Sequence, residues 1–532
     1  MRKRSRKKCN RNIILGIFFT LLLILLILRL YEIQVINAND YVQRARRQQM
    51  SKIPLQKVSG DITDRKGISF TSAGERYEIM VFPDAIGFDD GAYEVIELLT
   101  GKSKEYFKQN PADYLALPVV NQDLTLLSSI ESNRYPGVIC YKKTIRYDDN
   151  SLARHVVGYL RVSDGKPMSG IEKAYEAMLH PGQSSYISVF ADAADRPLFN
   201  MGIEKNEPEE AWYDVQLTLD YNIQQILEEV LDNYPGKRHG GLVLDAHTGE
   251  ILAMASRPQY KQYEPGAKYT DGMESSFLAI PLEQFPPGSI FKIIVAAAAL
   301  ESGRYTEDTQ FTCTGGIQTG SKWVSCTAYT AGSDGLTMRE AFAYSCNDTF
   351  VRIAMDIGGD AIIETARRFG LGTAVNIELP NPAGHLMEKD EYTGPGIANL
   401  AIGQGSLLVT PLQAADVITT ILNDGKRKAI KLVSGFVDPS GSFIANTSYS
   451  KAEDRVISPA TAKTLTEWMG DVTEYGTGKK ARDPIIGGTA GKTGTPRVFG
   501  DPDSNEYGWF TGFFPKENPR YVIVVLSQEE GG

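Results

Sequence analysis

The amino-acid sequence predicts an α+β protein in which helical sequence is enclosed between strands of one antiparallel sheet. A helix and a hairpin open residues 215–532, and three strands close them, the last two being "YGWFTGFFP" and "RYVIVVLSQ". The sequence between these strands is mainly helical in character. Chain ends that meet in one sheet, with a helical lobe inserted between them, account for this order.

The opening elements of this region follow from local patterns. Val215 to Thr218 form the first strand, and Asp220 is a good N-cap for the helix after it. Apolar residues then recur at helical spacing, at positions 223, 226, 227, 230 and 231. The segment "GGLVLDAHTGEILAMAS", residues 240–256, reads as two apolar strands joined by the turn Ala-His-Thr-Gly.

Residues 30–214 have a different character, with short strand-like and helical pieces and many turns. The stretch "VSGDITDRKGISF", residues 58–70, predicts a strand, a tight Asp-Arg-Lys-Gly turn and a second strand. A chain of 532 residues is long enough for two or more domains with buried cores. The change in character near residue 215 predicts a domain boundary there.

The N-terminus predicts a membrane anchor. Residues 1–11 contain seven Lys or Arg and no acid, and residues 12–28 contain no charge. Seventeen helical residues span roughly 26 Å, the short end of what crosses a bilayer. A cleaved signal peptide is the alternative. Its apolar core would usually be shorter than this one, and an Ala-x-Ala-like cleavage site would follow it, whereas no such site follows here. We therefore expect a cytoplasmic tail at 1–11, an anchor at 12–30 and the remainder outside the cell.

The charge distribution bears on the partners of the protein. The formal charge of −9 divides into +7 for residues 1–11 and −16 for the rest. Because an acidic surface repels phosphate backbones, the sequence argues against nucleic acid as a partner. We expect no cofactor, since neither a zinc-type cluster of cysteine and histidine nor another metal pattern occurs.

Four of the five cysteines fall in the predicted external part of the chain. Cys313 and Cys326 enclose a short Gly/Ser/Thr-rich segment and could form a disulfide in an oxidising compartment. Buried free thiols are an equally good interpretation, because spacing does not establish disulfide geometry.

The segment "FPPGSIFKIIVAAAALESG", residues 285–303, holds the first chemical motif. Pro287 and Gly288 break the preceding chain and Ile290 to Leu300 favour a helix. Ser289 and Lys292 then lie three residues apart in its first turn, on one face. A lysine in apolar surroundings has a lowered pKa and can remove the proton of a serine hydroxyl. The pattern Ser-x-x-Lys begins at four serines, but only Ser289 opens an apolar helix; a surface Ser-Lys pair is the alternative.

Two further short segments supply partners for this pair. In "AFAYSCNDTF", residues 341–350, Ser345 could relay a proton and Asn347 could hold a substrate amide; a helix-capping pair is the alternative. The stretch "GGTAGKTGTPRVFG", residues 487–500, resembles a phosphate-binding loop, yet Ile486 stands where that loop requires glycine. An extended Lys-Thr-Gly strand can instead bind a peptide along its edge.

The ordered set Ser289-x-x-Lys292, Ser345-Cys346-Asn347 and Lys492-Thr493-Gly494 resembles the signature of penicillin-binding proteins. The chain closely resembles their class B members, the anchored D,D-transpeptidases of peptidoglycan synthesis. Nearly the whole chain carries the resemblance, in the stretches "GDITDRKG", "RHVVGYL", "SGIEKAYEAMLHPG", "LDAHTGEILAMASRP", "AIGQG", "GTGKKA" and "WFTGFFP".

The resemblance implies a pedestal domain at 31–214 and a transpeptidase domain at 215–532, with a five-stranded antiparallel sheet and an all-helical lobe. It implies a role for each motif residue. Ser289 is the nucleophile and Lys292 its base, with Ser345, Asn347 and Lys492 as further catalytic residues. The substrate-binding set is Thr493, Gly494, Thr495, Gln404 and Gly405. The backbone N–H groups of Ser289 and Thr495 form the oxyanion hole.

The resemblance also implies partners and a location. The substrates are peptidoglycan stem peptides, β-lactams acylate the serine, and a SEDS-family membrane glycosyltransferase polymerises the glycan. The protein sits in the cell membrane with an extracytoplasmic catalytic domain. A β-lactamase or β-lactam sensor of the same fold, and a non-catalytic scaffold, are the alternatives.

The sequence departs from the family pattern at three places. Ser59 stands where an arginine usually precedes Gly60. Thr330-Ala331-Gly332 replaces a frequent His-Gly. The sequence ends at Gly532, where the family continues into a helix that covers one face of the sheet.

Overall fold

A computed structural model describes residues 2–192, 196–206, 208, 212–265, 276–326, 333–449, 454–496 and 506–529. The chain divides into two compact units. The first comprises residues up to Val58 with 75–144 and 182–209, and the second comprises 59–74, 145–181 and 210–532. Each unit is described separately below.

The first unit begins with a long helix, Arg2–Tyr31, followed by a π-helical turn and the helix Ala38–Gln49. Residues Ile13–Ile36 form a span of 24 residues with a mean hydropathy of 2.9, long and apolar enough to cross a membrane. The predicted N-terminal anchor is therefore supported by length and composition.

The rest of the first unit contains two small sheets, one of which has helices packed on it. One sheet has the order 50–57, 184–190, 203–206, and the other has the order 115–118, 74–81, 138–145. Asp89 and Asp123 cap two of the helices with their carboxylates, as their positions before apolar runs favour. The α-helices that follow Ala38–Gln49 in this unit are Pro83–Ile86, Asp90–Thr100, Lys104–Gln109 and Leu124–Glu131.

The second unit is built on a five-stranded antiparallel sheet, as predicted. Its order is Ile251–Arg257, Arg238–Asp245, Tyr521–Glu529, Glu506–Phe514 and Ala490–Gly494. Strands from both ends of residues 215–532 therefore meet in one sheet. The helix Tyr221–Asp232 packs against it and is capped by Asp220, whose carboxylate accepts from the N–H groups of Asn222 and Ile223.

The segment inserted between these strands is mainly helical, as predicted. The all-helical lobe that the resemblance implies is wrong, because the segment also contains two two-stranded sheets, Gln310–Cys313 with Ser333–Thr337 and Gly316–Thr319 with Lys322–Ser325. The helix Lys292–Glu301 is buried from Lys292 to Ala299, because its apolar residues continue around the whole circumference. The other helices inserted between the strands are Met338–Ala343, Asn347–Ile357, Gly359–Arg368, Ile397–Ile402, Pro411–Leu422 and Pro459–Glu474.

A small four-stranded sheet differs from the sequence expectation. The predicted Asp-Arg-Lys-Gly turn is present, because the Gly67 N–H donates to the Asp64 carbonyl at 3.1 Å and Thr63 bridges Ser69 in the antiparallel sense. The predicted second strand is reduced to this bridge, and Ile62–Thr63 also pairs in parallel with Asp214–Leu217. The order of this sheet is 443–445, 433–437, 214–217, 62–63.

Candidate active site

Ser289 lies in a 3-10 turn, Gly288–Phe291, which leads directly into the helix that begins at Lys292. The predicted single helical turn is therefore a 3-10 turn followed by an α-helix, a common arrangement at helix N-termini. Gly288 has φ +56°, a left-handed conformation that glycine adopts without strain. Ser289 is half-buried and Lys292 is completely buried. We call Gly288–Phe291 the Ser289 turn.

The ammonium group of Lys292 is held by the second motif. Its Nζ donates to the Ser345 carbonyl at 2.7 Å, to Ser345 Oγ at 3.1 Å and to Asn347 Oδ1 at 2.6 Å. Burial lowers the pKa of Lys292 to about 8, against smaller raising contributions from Cys346 and Cys326. The ring of Phe350 lies 5.7 Å from Nζ. A lysine with this pKa is partly neutral near physiological pH and can accept a proton.

Ser345 adopts a strained backbone conformation. Its φ of 59° is left-handed, which few residues other than glycine adopt. Cys346, not Ser345 or Asn347, is the N-cap of the helix Asn347–Ile357. The Asn347 side chain therefore remains available to contact Lys292 and to donate to the Ser325 carbonyl at 2.9 Å. The capping interpretation of the Ser/Asn pair is wrong.

Lys492 lies in the strand Ala490–Gly494, at the edge of the five-stranded sheet. We call it the Lys492 strand. One side of this strand pairs with Glu506–Phe514, with Lys492 opposite Thr511, so its other side is open to a further strand. Lys492 is completely buried. Burial, and then the charge of Lys292, lower its pKa well below the usual value.

The Lys492 strand packs closely on the Ser289 turn. A Cβ added to Gly494 would lie 2.8 Å from the Pro287 carbonyl oxygen, and one added to Gly288 would lie 3.0 Å from Pro496. Glycine at both positions permits this approach. Beyond Gly494, Thr495 is exposed, whereas Thr493 is half-buried. The structure thus brings the three distant motifs to one place.

Gln404 and Gly405 adjoin the same turn from the helix Ile397–Ile402. The carbonyl of Gly403, which precedes them, accepts from the Gly288 N–H at 2.9 Å. The Oε1 atom of Gln404 is buried without a hydrogen-bond partner among the described residues. Gly405 is exposed, with φ +81°.

Three cysteines lie together behind the second motif. Cys313, Cys326 and Cys346 are buried free thiols whose sulfur atoms all lie within 4.8 Å of one another. The shortest distance described joins Cys326 Sγ to Cys346 Sγ, at 3.6 Å. The structure therefore agrees with the interpretation as buried free thiols rather than with a disulfide between Cys313 and Cys326. A hydrogen bond with Cys326, together with burial, raises the pKa of Cys346 and favours its neutral thiol. Thr330-Ala331-Gly332 lies outside the described residues.

Two features of the site were not predicted from the sequence. The rings of Phe350 and Phe342 lie 5.7 and 5.8 Å from the two lysine Nζ atoms and form part of their apolar surroundings. Thr477, in the stretch "GTGKKA", places its hydroxyl 2.7 Å from that of Thr493. The stretch marked the family resemblance, but no local pattern connected Thr477 with a motif 16 residues away.

A half-buried serine beside a buried lysine of lowered pKa, at the open edge of a sheet, is suited to serine acyl transfer. Comparison with known proteins agrees with this class. Residues 240–532 match the family model described as the penicillin-binding protein transpeptidase domain. Because the match covers more than half of the chain, the protein belongs to the family of penicillin-binding protein transpeptidases, as the resemblance to its class B members predicted.

Individual relatives give the same result. The chain is 31% identical to penicillin-binding protein PbpB of Mycolicibacterium smegmatis, over 74% of this chain and 62% of PbpB. It is 26% identical to peptidoglycan D,D-transpeptidase MrdA of Escherichia coli, over 95% of this chain and 89% of MrdA. The chain thus spans less than two thirds of the mycobacterial relative but most of MrdA.

A solved structure resembles nearly the whole chain. It comes from a study titled "Structural coordination of polymerization and crosslinking by a peptidoglycan synthase complex". The TM-score is 0.73 at 25% identity, over 98% of this chain and 95% of the other.

Proposed function

We propose that the protein is a peptidoglycan D,D-transpeptidase that cross-links stem peptides through an acyl-enzyme on Ser289 and is acylated by β-lactams. The observation that carries the proposal is the buried ammonium of Lys292, bonded to Ser345 and Asn347 beside the Ser289 turn. The names of its relatives, a penicillin-binding protein and a D,D-transpeptidase, support the same reaction.

The first half-reaction forms the acyl-enzyme. Ser289 Oγ attacks the carbonyl carbon of the penultimate D-Ala while neutral Lys292 takes the hydroxyl proton. The N–H groups of Ser289 and Thr495 stabilise the oxyanion that forms. The C–N bond to the terminal D-Ala then breaks, and the leaving amine receives a proton from Lys292 through the Ser345 hydroxyl, which lies 3.1 Å from Nζ.

The second half-reaction transfers the acyl group. An amine of a neighbouring stem peptide attacks the ester carbonyl, Ser345 and Lys292 accept its proton, and Ser289 leaves with a proton restored. Water in place of the amine would give carboxypeptidase activity.

The remaining residues of the site bind the donor peptide. An extended peptide adds along the open edge of the Lys492 strand by backbone hydrogen bonds. Asn347 holds a side amide, the hydroxyls of Thr493 and Thr495 hold the terminal carboxylate, and the charge of Lys492 attracts it. Gly494 keeps the strand close to the Ser289 turn, and Gln404 and Gly405 form a wall of the cleft.

The location and partners of the protein are part of the proposal. The apolar helix anchors the chain, with the basic tail at 1–11 in the cytoplasm and the catalytic domain outside. Residues 31–214 serve as a pedestal and 215–532 as the transpeptidase domain. Glycan polymerisation comes from a SEDS-family partner, consistent with the synthase complex named for the similar structure.

The test is covalent labelling of the full chain with fluorescent penicillin. Wild-type protein should carry a stable label and Ser289→Ala should carry none. Ser302→Ala, at the end of the same helix, is the matched control and should label normally. Rapid loss of label would indicate a β-lactamase, and no label on folded wild type would indicate a scaffold.

A further inference from the structure

Thr477 lies in the turn after the helix Pro459–Glu474 and contacts the third motif and the segment that precedes the second. Its hydroxyl oxygen is 2.7 Å from that of Thr493, a hydrogen-bond distance. Its backbone N–H donates to the carbonyl of Ala343 at 3.1 Å, two residues before Ser345. Since Thr477 is exposed, its hydroxyl is accessible to a molecule bound at the site.

The backbone of this turn is fixed on both sides of Thr477. The N–H of Gly476 donates to the Asp471 carbonyl at 3.0 Å, and the N–H of Gly478 donates to the Val472 carbonyl at 2.8 Å. A Cβ added to Gly476 would lie 2.2 Å from the Ala343 oxygen, so the turn touches the segment that leads to Ser345. The position of the Thr477 hydroxyl is therefore set by the fold, independently of a ligand.

The pairing of the two hydroxyls decides what Thr493 can offer a ligand. A hydroxyl donates one proton and accepts two hydrogen bonds. If Thr477 donates its proton to Thr493, the proton of Thr493 is directed to another acceptor. A chain of this kind is strengthened when its last acceptor carries a charge.

We propose that Thr477 is a positioning residue for the free carboxylate of the donor peptide and of β-lactams, an inference that rests on the proposed function. It orients the Thr493 hydroxyl so that this group donates to the carboxylate. Thr477 thereby contributes to selection of substrates that end in a free acid over those whose acid is esterified. A hydrogen bond to a charged group accounts for about 10- to 100-fold in rate or affinity.

The test uses benzylpenicillin and its methyl ester, which differ only at the carboxylate. Second-order acylation rates are measured on full-length wild type, Thr477→Val and Thr477→Ser. We expect Thr477→Val to lower the rate for the acid by about 10-fold or more and to leave the rate for the ester unchanged. Thr477→Ser, which keeps the hydroxyl, should restore the preference for the acid.

Thr466→Val is the matched control, because Thr466 lies in the preceding helix and its hydroxyl donates to that helix's own Ala462 carbonyl at 2.9 Å. Its acid-to-ester ratio should equal that of wild type. An equal loss for acid and ester in Thr477→Val, no loss for either, or a Thr477→Ser variant as defective as the valine would each overturn the inference. Absence of acylation of wild type by either compound would instead overturn the proposed function itself.

Discussion

Two groups of buried charges in the second unit are organised in opposite ways. In one, which we call the Glu172 cluster, a fully buried Glu172 pairs with Arg146 at 2.6 Å and His180 at 2.7 Å, and accepts from the Tyr147 hydroxyl. Ser59 completes it by a 2.8 Å contact with His180. In the other, Lys292 and Lys492 are both buried, and no carboxylate among the described residues pairs with either.

The pKa values of Glu172 and Lys292 reflect this difference in pairing. Burial alone would raise the pKa of Glu172, but the charge of Arg146 and the hydrogen bond with His180 bring it down to about 2. Burial lowers the pKa of Lys292 to about 8, and no opposite charge restores it. Removing one partner of a buried ion pair is costly because it leaves the other charge uncompensated, whereas buried like charges keep a group reactive at the expense of stability.

Removal of the buried base should have the largest effect. Replacing Lys292 with Met keeps an apolar side chain of similar length but leaves no group to take the Ser289 proton. We expect acylation by fluorescent penicillin to fall about 10²–10⁴-fold. Thermal unfolding should be unchanged or shifted upward, because a buried ammonium has been removed. Unchanged acylation would show that another group activates the serine.

Breaking the Glu172 cluster should affect stability instead. Glu172→Gln leaves Arg146, whose side chain is only 15% exposed, without its counter-charge, and we expect the free energy of unfolding in urea to fall by about 3–5 kcal/mol. The acylation rate per folded molecule should stay within about twofold of wild type, a factor below 1 kcal/mol. Lys463→Gln is the control: Lys463 is 81% exposed in its pair with Glu467, so its loss should cost less than about 1 kcal/mol. Equal losses in the two variants would contradict the comparison.

The pH dependence of acylation should distinguish the two regions again. Because the folded pKa of Lys292 is lowered, its neutral form becomes the major one above about pH 8. Acylation should therefore rise about tenfold per unit below that pH and level off above it. The Glu172 carboxyl titrates near pH 2, so its stabilising contribution is complete above about pH 4.5 and does not change in this window. A flat rate profile between pH 6 and 8 would exclude Lys292 as the titrating base.

The two regions also differ in how much the sequence could predict. The strands of the five-stranded sheet and the N-cap at Asp220 depend on local patterns, and the sequence predicts them nearly to the residue. Ser289 and Lys292 were recognisable because a helix brings residues three apart together. The Glu172 cluster was not predictable, since Glu172 and Arg146 are joined only by tertiary packing. The same is true of Thr477 and of the close approach of Gly494 to Pro287. At 58–70 the local turn was predicted correctly, whereas the parallel pairing of Ile62–Thr63 with residues 214–217 depends on tertiary structure and was not.

The smallest effect concerns the strained backbone of Ser345. A left-handed φ costs a residue with a Cβ roughly 1–2 kcal/mol, so replacing that residue with glycine relieves the strain. Part of this gain in stability is lost because glycine has a larger conformational entropy in the unfolded chain. We expect Ser345→Gly to raise the free energy of unfolding by about 0.5 kcal/mol and to slow acylation, because the hydroxyl 3.1 Å from Lys292 Nζ is lost. The control is Asp424→Gly, at an exposed residue with φ 53° outside the site. It should gain similar stability, measured by urea unfolding, with no change in acylation. Slower acylation by Asp424→Gly, or full acylation activity of Ser345→Gly, would show that the strained backbone of Ser345 does not serve to place a hydroxyl needed for acylation.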